Sequence, residues 1–222
     1  MRISRQHACY LIAILVLCCL IQSEKEWIEN LTDWQAENLS KTTESLLEQY
    51  QRQIESVWEE LIYFPIPDSA LSPNVSVSFQ NTWQAERNYG GKRKHEGIDL
   101  MADPEKSGYF PIVSMTDGTI EQVGWLEKGG WRIGIRSISG NYYYYAHFHS
   151  YINDWKRGDP VKAGDVLGYM GDTGYGPEGT TGQFPVHLHL GIYLPAAESG
   201  ELAINPYWML RYLESQKLSY IY

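Results

Sequence analysis

Cysteine is nearly absent from this chain: three residues, Cys9, Cys18 and Cys19, all close to the N-terminus. Everything after Cys19 is therefore built without disulfides and without thiolate metal ligands, which a domain of this length tolerates because it can bury enough apolar surface unaided. Basic residues are also scarce, 18 Lys and Arg against 27 Asp and Glu, for a formal charge of −9. That balance excludes a nucleic-acid partner. The longest apolar run, Ala8 to Ile21, falls short of the roughly 20 residues a membrane-spanning helix needs. The glycine-rich stretch GDTGYGPEGTTG (171–182) has no following Lys-Ser/Thr, which excludes a nucleotide-phosphate loop. Histidine, finally, occurs six times, and all but His7 fall in three short blocks.

The chain divides into three parts. Residues 1–23 read as a signal peptide or signal anchor: Arg2 and Arg5 precede the apolar run, and Glu24 and Glu26 follow it. Such a charge order places the C-terminal side outside the cytoplasm. Ile21-Gln22-Ser23 is only a fair cleavage site, so an uncleaved anchor is favoured over release, and Leu17 before Cys18 argues against lipidation. Residues 24–64 read as a helical stalk in which Leu47, Tyr50, Ile54, Val57, Leu61 and Phe64 alternate spacings of three and four, ending at Pro65 and Pro67. Packing on the chain's own domain, a coiled-coil homodimer and contact with a membrane-protein partner all fit this stripe. Residues 65–222 form the main domain. After Phe79 short strands alternate with glycine turns (GGKR, TDG, KGG, SGN, KAGD), which predicts a mainly β, antiparallel folded sheet with a cleft. NPYWMLRYLESQKL predicts a short helix capped by Asn205, with Pro206 at its first position.

Within this domain the histidine blocks carry the chemistry. His187 and His189 lie in FPVHLHLGIY, an alternating apolar strand that turns both imidazoles to one face and Leu188 and Leu190 to the other. HEGID (95–99) has His95 and Asp99 four apart, but Gly97 between them and Gly90-Gly91 ahead argue for a loop running into a strand, IDLMA. NYYYYAHFHS places His147 and His149 two apart on a third strand. Taken singly, HEGID is more often a surface hydrogen-bonded pair than a ligand pair. Taken together, two separated blocks of imidazole and carboxylate groups suit a catalytic Zn²⁺ site, which takes three protein ligands and leaves one position open.

HEGID, YYAH and VHLHLGIY, in this order, resemble the lysostaphin-like zinc endopeptidases that cut bacterial cell-wall peptides. PIVSMTDGTIEQVGWLEKGGWRIGIRS and VKAGDVLGYMGDTGYGPEGTTG extend the resemblance, which covers about Phe64 to Trp208. It implies Zn²⁺ held by His95, Asp99 and His189, with His147 and His187 in acid/base and transition-state roles and Tyr89 stabilising the oxyanion. Arg93 is an alternative to Tyr89, and His149 has no counterpart and reads as a partly exposed strand residue. The implied substrate is a peptidoglycan peptide. A non-catalytic wall-binding or complex-forming module on the same fold is the competing expectation, and a non-peptidase metalloenzyme a third. Because no family ligand is missing, hydrolysis by metal-activated water is the favoured one.

Overall fold

The computed structural model describes residues 33–196 and 200–222. The expected signal or anchor segment, residues 1–23, lies outside them. No helix among the described residues is long and apolar enough to cross a membrane.

A helix, α1 (Asp33–Glu60), comes first. It ends four residues before Phe64, and Leu61 to Phe64 leave the helical path ahead of Pro65. A residue before proline is pushed away from helical backbone angles, which accounts for the earlier stop. The second of the chain's two compact units begins inside this helix, at Gln53, and runs to Tyr222. Within that unit Val57, Leu61 and Phe64 are fully or almost fully buried. Half of the predicted heptad stripe is thus spent on the chain's own domain. A coiled coil could draw only on the remainder, and Leu47 is exposed. Glu60 closes the helix onto the sheet: Asn141 Nδ2 and Tyr143 Oη each donate to its Oε2 at 3.0 Å, and the Ser139 amide donates to Oε1 at 3.1 Å.

The rest is β structure. The strands are β1 (Asp68–Ser69), β2 (Ser76–Phe79), β3 (Glu86–Arg87), β4 (Arg93–Lys94), β5 (Ile98–Asp103), β6 (Pro111–Val113) and β7 (Gly118–Leu126). They continue as β8 (Gly130–Arg136), β9 (Tyr142–Tyr151), β10 (Pro160–Val161), β11 (Val166–Met170), β12 (His187–Ala196), β13 (Gly200–Ile204) and β14 (Ser219–Tyr220). Ten of them build one antiparallel sheet, ordered β10-β7-β8-β9-β12-β5-β2, with β11 bridging β6 and β9 and β13 flanking β12. The prediction of a mainly β antiparallel domain holds; the one parallel pair is the short β1–β14 contact. The helix α2 (Tyr207–Leu213) begins one residue later than expected, with Pro206 at the cap position and the Tyr207 amide donating to Asn205 Oδ1 at 3.0 Å.

Period-two alternation sorts the central strands. Leu188, Leu190, Ile192 and Leu194 of β12, Ile98 and Leu100 of β5, and Tyr143 and Tyr145 of β9 are wholly buried. Burying such side chains stabilises the fold by about 1.5–3 kcal/mol each. The residues between them are left to face the opposite side, where the cleft lies.

Candidate metal centre

Register puts the two ends of the chain's chemistry together. β12 is central, with β5 on one flank and β9 on the other. His189 stands directly opposite Asp99 on β5 and opposite Ala146 on β9. Side chains paired across an antiparallel ladder start about 4.5–5.5 Å apart at Cβ, close enough to share a small ion. His95 reaches the same point from the loop before β5. Gly97 makes that approach possible: a Cβ there would lie 2.5 Å from the Leu190 carbonyl oxygen and 2.6 Å from the His189 ring.

The result is a triangle of donor atoms. His95 Nε2 lies 3.0 Å from His189 Nδ1 and 3.1 Å from Asp99 Oδ1, and His189 Nδ1 lies 2.9 Å from Asp99 Oδ1. A tetrahedral ion with bonds of about 2.0–2.2 Å spreads its ligand atoms about 3.3–3.6 Å apart, so small side-chain shifts would admit Zn²⁺. The donor chemistry fits as well. His95 Nδ1 has partners of both kinds, the Thr82 carbonyl at 3.2 Å, Thr82 Oγ1 at 3.1 Å and the donor Arg87 Nη2 at 3.1 Å; with the proton on Nδ1 toward the Thr82 carbonyl, Nε2 would keep its electron pair. Three donor atoms this close need positive charge between them: without an ion, hydrogen bonds from the histidine rings to Asp99 supply it, and a bound cation would replace those protons.

Asp99 is anchored on its other oxygen by Arg87, whose Nη2 donates to Oδ2 at 2.8 Å. Burial pushes the Asp99 carboxyl up, but the hydrogen bonds from His189 and His95 outweigh it and hold the group well below the usual carboxylate range. Burial is also the main force keeping His189, His187 and His147 below the ordinary imidazole value; mutual repulsion among the rings adds to it.

His147 and His187 stand beside the triangle, their rings 4.6 Å apart. His147 Nδ1 is 2.7 Å from the Thr173 carbonyl and His187 Nδ1 is 2.7 Å from the Pro185 carbonyl. A carbonyl only accepts, so both Nδ1 atoms carry the proton and both Nε2 atoms keep an electron pair. His147 arrives through an irregularity in β9. Its φ is +68°, and the pairing of β9 with β8 and β11 shifts register around it. Ala146 and His147 consequently both line the cleft, whereas simple alternation would have sent His147 to the core with Tyr145.

The cleft encloses about 500 Å³. Tyr175, from the glycine-rich segment after β11, lines it. Tyr89 is not among its lining residues; it stacks on Tyr175 with ring centroids 4.2 Å apart. Arg93 lines the cleft and donates to Tyr175 Oη at 3.0 Å. His149 is exposed and contacts Ser107 Oγ at 3.1 Å, outside the cluster. The structure therefore brings together five of the six expected site residues and adds Arg87, Thr82, Thr173 and Tyr175. No local signal separates Arg87 from Lys92, Arg93 and Lys94, which stand nearer to HEGID, and the carbonyl partners leave no trace in the sequence.

Residues 93–206, just over half of the chain, match the model of peptidase family M23. The chain belongs to that family. Among known M23-like proteins it is similar to the L-Ala–D-Glu endopeptidase of Bacillus subtilis (strain 168), with 40% identity over 148 residues, 67% of this chain and 42% of that protein. It also resembles the glycyl-glycine endopeptidase ALE-1 of Staphylococcus capitis, with 31% identity over 114 residues, 48% of this chain and 30% of that protein. The chain thus spans under half the length of these curated relatives. A crystal structure of a candidate glycyl-glycine endopeptidase from Ruminococcus gnavus ATCC 29149 superposes with a TM-score of 0.74 at 49% identity, covering 86% of this chain and 76% of that one.

Proposed function

We propose that this M23 protein is a zinc-dependent endopeptidase that hydrolyses peptide bonds in bacterial cell-wall peptidoglycan, outside the cytoplasm. The observation that carries the reading is the triangle of His95 Nε2, Asp99 Oδ1 and His189 Nδ1, with edges of 2.9–3.1 Å. These three residues would hold the ion. Bound there, Zn²⁺ supplies a Lewis acid that acidifies water and polarises the scissile carbonyl.

The chain's own groups do the rest. His147 and His187, fixed with Nε2 unprotonated, accept a proton from the attacking water and return one to the leaving amine, a contribution of roughly 10²–10⁴-fold. Burial keeps both neutral and ready to accept near neutral pH. The proposed oxyanion role of Tyr89 passes to Tyr175, which lines the cleft beside His147, ring centroids 6.3 Å apart. Arg93 donates to the Tyr175 hydroxyl, which leaves that hydroxyl's proton for an oxyanion. Tyr89 then acts as the platform that orients Tyr175.

The two named relatives cut different bonds, L-Ala–D-Glu in one and glycyl-glycine in the other, so likeness alone does not choose the bond for this chain. The test is release of new amino termini from purified peptidoglycan, with and without chelator. Chelator-sensitive release restored by Zn²⁺ supports the reading; bound zinc with no release from any wall type would favour the non-catalytic module instead.

A further inference from the structure

The protein is acidic overall, yet its cleft is lined by more basic than acidic side chains. Two of the basic residues are neutralised locally, Arg87 by Asp99 and Lys94 by Glu86. Three others, Arg93, Lys128 and Arg132, form no ion pair among the described residues. Arg93 donates only to the neutral Tyr175 hydroxyl, and Arg132 only to the neutral Gln122 Oε1 at 3.3 Å. Arg93 Nε and Arg132 Nη1 are moreover two of the three buried side-chain polar atoms without a hydrogen-bond partner among the described residues. Native proteins rarely leave such groups unsatisfied, and a ligand that accepts from them would complete their hydrogen bonding. Lys128 belongs to the turn between β7 and β8, and its side chain lies over Gly90, where an added Cβ would come 2.7 Å from Lys128 Cε.

Arg132 is set to one side of the candidate metal centre, in the cleft that Arg93 and Lys128 also line. β8, which carries Arg132, is two strands from β12, which carries His187 and His189. Two strand spacings are about 10 Å, a span covered by about three residues of extended peptide. A peptide with its scissile bond at the triangle would pass a residue or two of its length under this group.

We propose that Arg93, Lys128 and Arg132 form a subsite for a carboxylate carried by the substrate peptide within about three residues of the scissile bond. The inference rests on the endopeptidase reading above and names the class of substrate that the cleft selects. Arginine forks suit a carboxylate through paired, charge-assisted hydrogen bonds, and the partly enclosed cleft strengthens them. Arg93 and Arg132 would keep or exchange the neutral partners they have, with Glu96 and Glu201 the other acidic groups lining the cleft beside Asp99.

Matched synthetic wall-type peptides decide it: one with a glutamyl carboxylate at a position near the scissile bond, the other with the carboxamide there. Binding is read by tryptophan fluorescence and cleavage by kcat/KM, both on the zinc-loaded full chain. At one position the acidic peptide is expected to bind, and to be cleaved, at least about tenfold better. Arg132→Gln should shrink that ratio toward one, Arg132→Lys, which keeps the charge and loses the fork, should keep only part of it, and Lys128→Gln should lower it in part. Equal binding of the two peptides at every position, or a ratio unmoved by Arg132→Gln, overturns the subsite even if both peptides are cleaved. Preferential binding of the acidic peptide with no cleavage of either would leave the subsite standing and overturn the peptidase reading alone.

Discussion

Arg87 Nη2 donates to Asp99 Oδ2 at 2.8 Å, on the carboxylate oxygen that the two histidines do not use. The guanidinium fixes the rotation of the carboxylate, so that Oδ1 points at His95 Nε2 and His189 Nδ1. Its charge also favours the ionised carboxylate, so that protons compete less with a metal for Oδ1. Such outer partners typically change metal affinity by about 10–100-fold. Arg87→Gln is therefore expected to weaken zinc binding by about that factor without altering the ligand set, measured by competition with a chromogenic chelator. Unchanged affinity would mean that Asp99 is held by its strand alone.

Ligand and proton-carrier roles separate cleanly in variants. His189→Ala removes a corner of the triangle, and zinc content per chain should fall to background. His147→Ala and His187→Ala leave all three corners, so zinc should stay near one per chain while kcat drops by about 10²–10⁴-fold. Elemental analysis and turnover on one preparation check both. Full activity in His187→Ala would reverse the assignment.

Much of this site was legible before the structure. The alternation of HLHL placed His187 and His189 on one face, and Gly97 in HEGID pointed to a loop, because those signals are local. What could not be read was the pairing register that sets Asp99 opposite His189, since register depends on the whole sheet. Tyr175 and Tyr89 show the same limit. Spacing from His95 favoured Tyr89, but the long loop after β11 folds across and interposes Tyr175. The heptad stripe leaves its partner open for a different reason: an apolar face looks the same whether it meets a second helix or the chain's own sheet.

His147 illustrates a feature that alternation hides. Its φ of +68° is unusual for a residue with a Cβ and costs on the order of 1 kcal/mol. The strain is what turns the imidazole out of the core and into the cleft. His147→Gly should consequently unfold at higher denaturant than His147→Ala, by about 1 kcal/mol, with both inactive. If the alanine variant proves the more stable, the backbone there is not strained and the register shift has another origin.

The last turns of α1 belong to the domain. Glu60 accepts hydrogen bonds from Asn141, buried Tyr143 and the Ser139 amide, and Val57 is fully buried. Glu60→Ala would strand the Tyr143 hydroxyl and leave Asn141 Nδ2 with Ser56 Oγ, at about 1–3 kcal/mol for the buried hydroxyl left without its partner. A fragment of residues 53–222 should retain cooperative unfolding, whereas residues 65–222 should be much less stable or fail to fold. Equal stability of the two fragments would return the helix to the role of a detachable stalk.

Acid should weaken the fold in a window set by the cleft histidines. Burial holds His147, His187 and His189 below 6.5 in the folded protein, while the unfolded chain titrates near 6.5. Between the two values the unfolded state binds more protons, so unfolding takes up protons and stability falls as pH drops. Above 6.5 neither state is protonated and the contribution is flat. For the chelator-treated protein, the denaturant midpoint should be steady from pH 8 to about 7 and decline from about 6.5 downward. His147→Gln removes one of these groups, so its midpoint should decline less over the same interval. An identical decline in wild type and His147→Gln would show that His147 takes up its proton as readily folded as unfolded, and that its Nε2 is not kept neutral by burial.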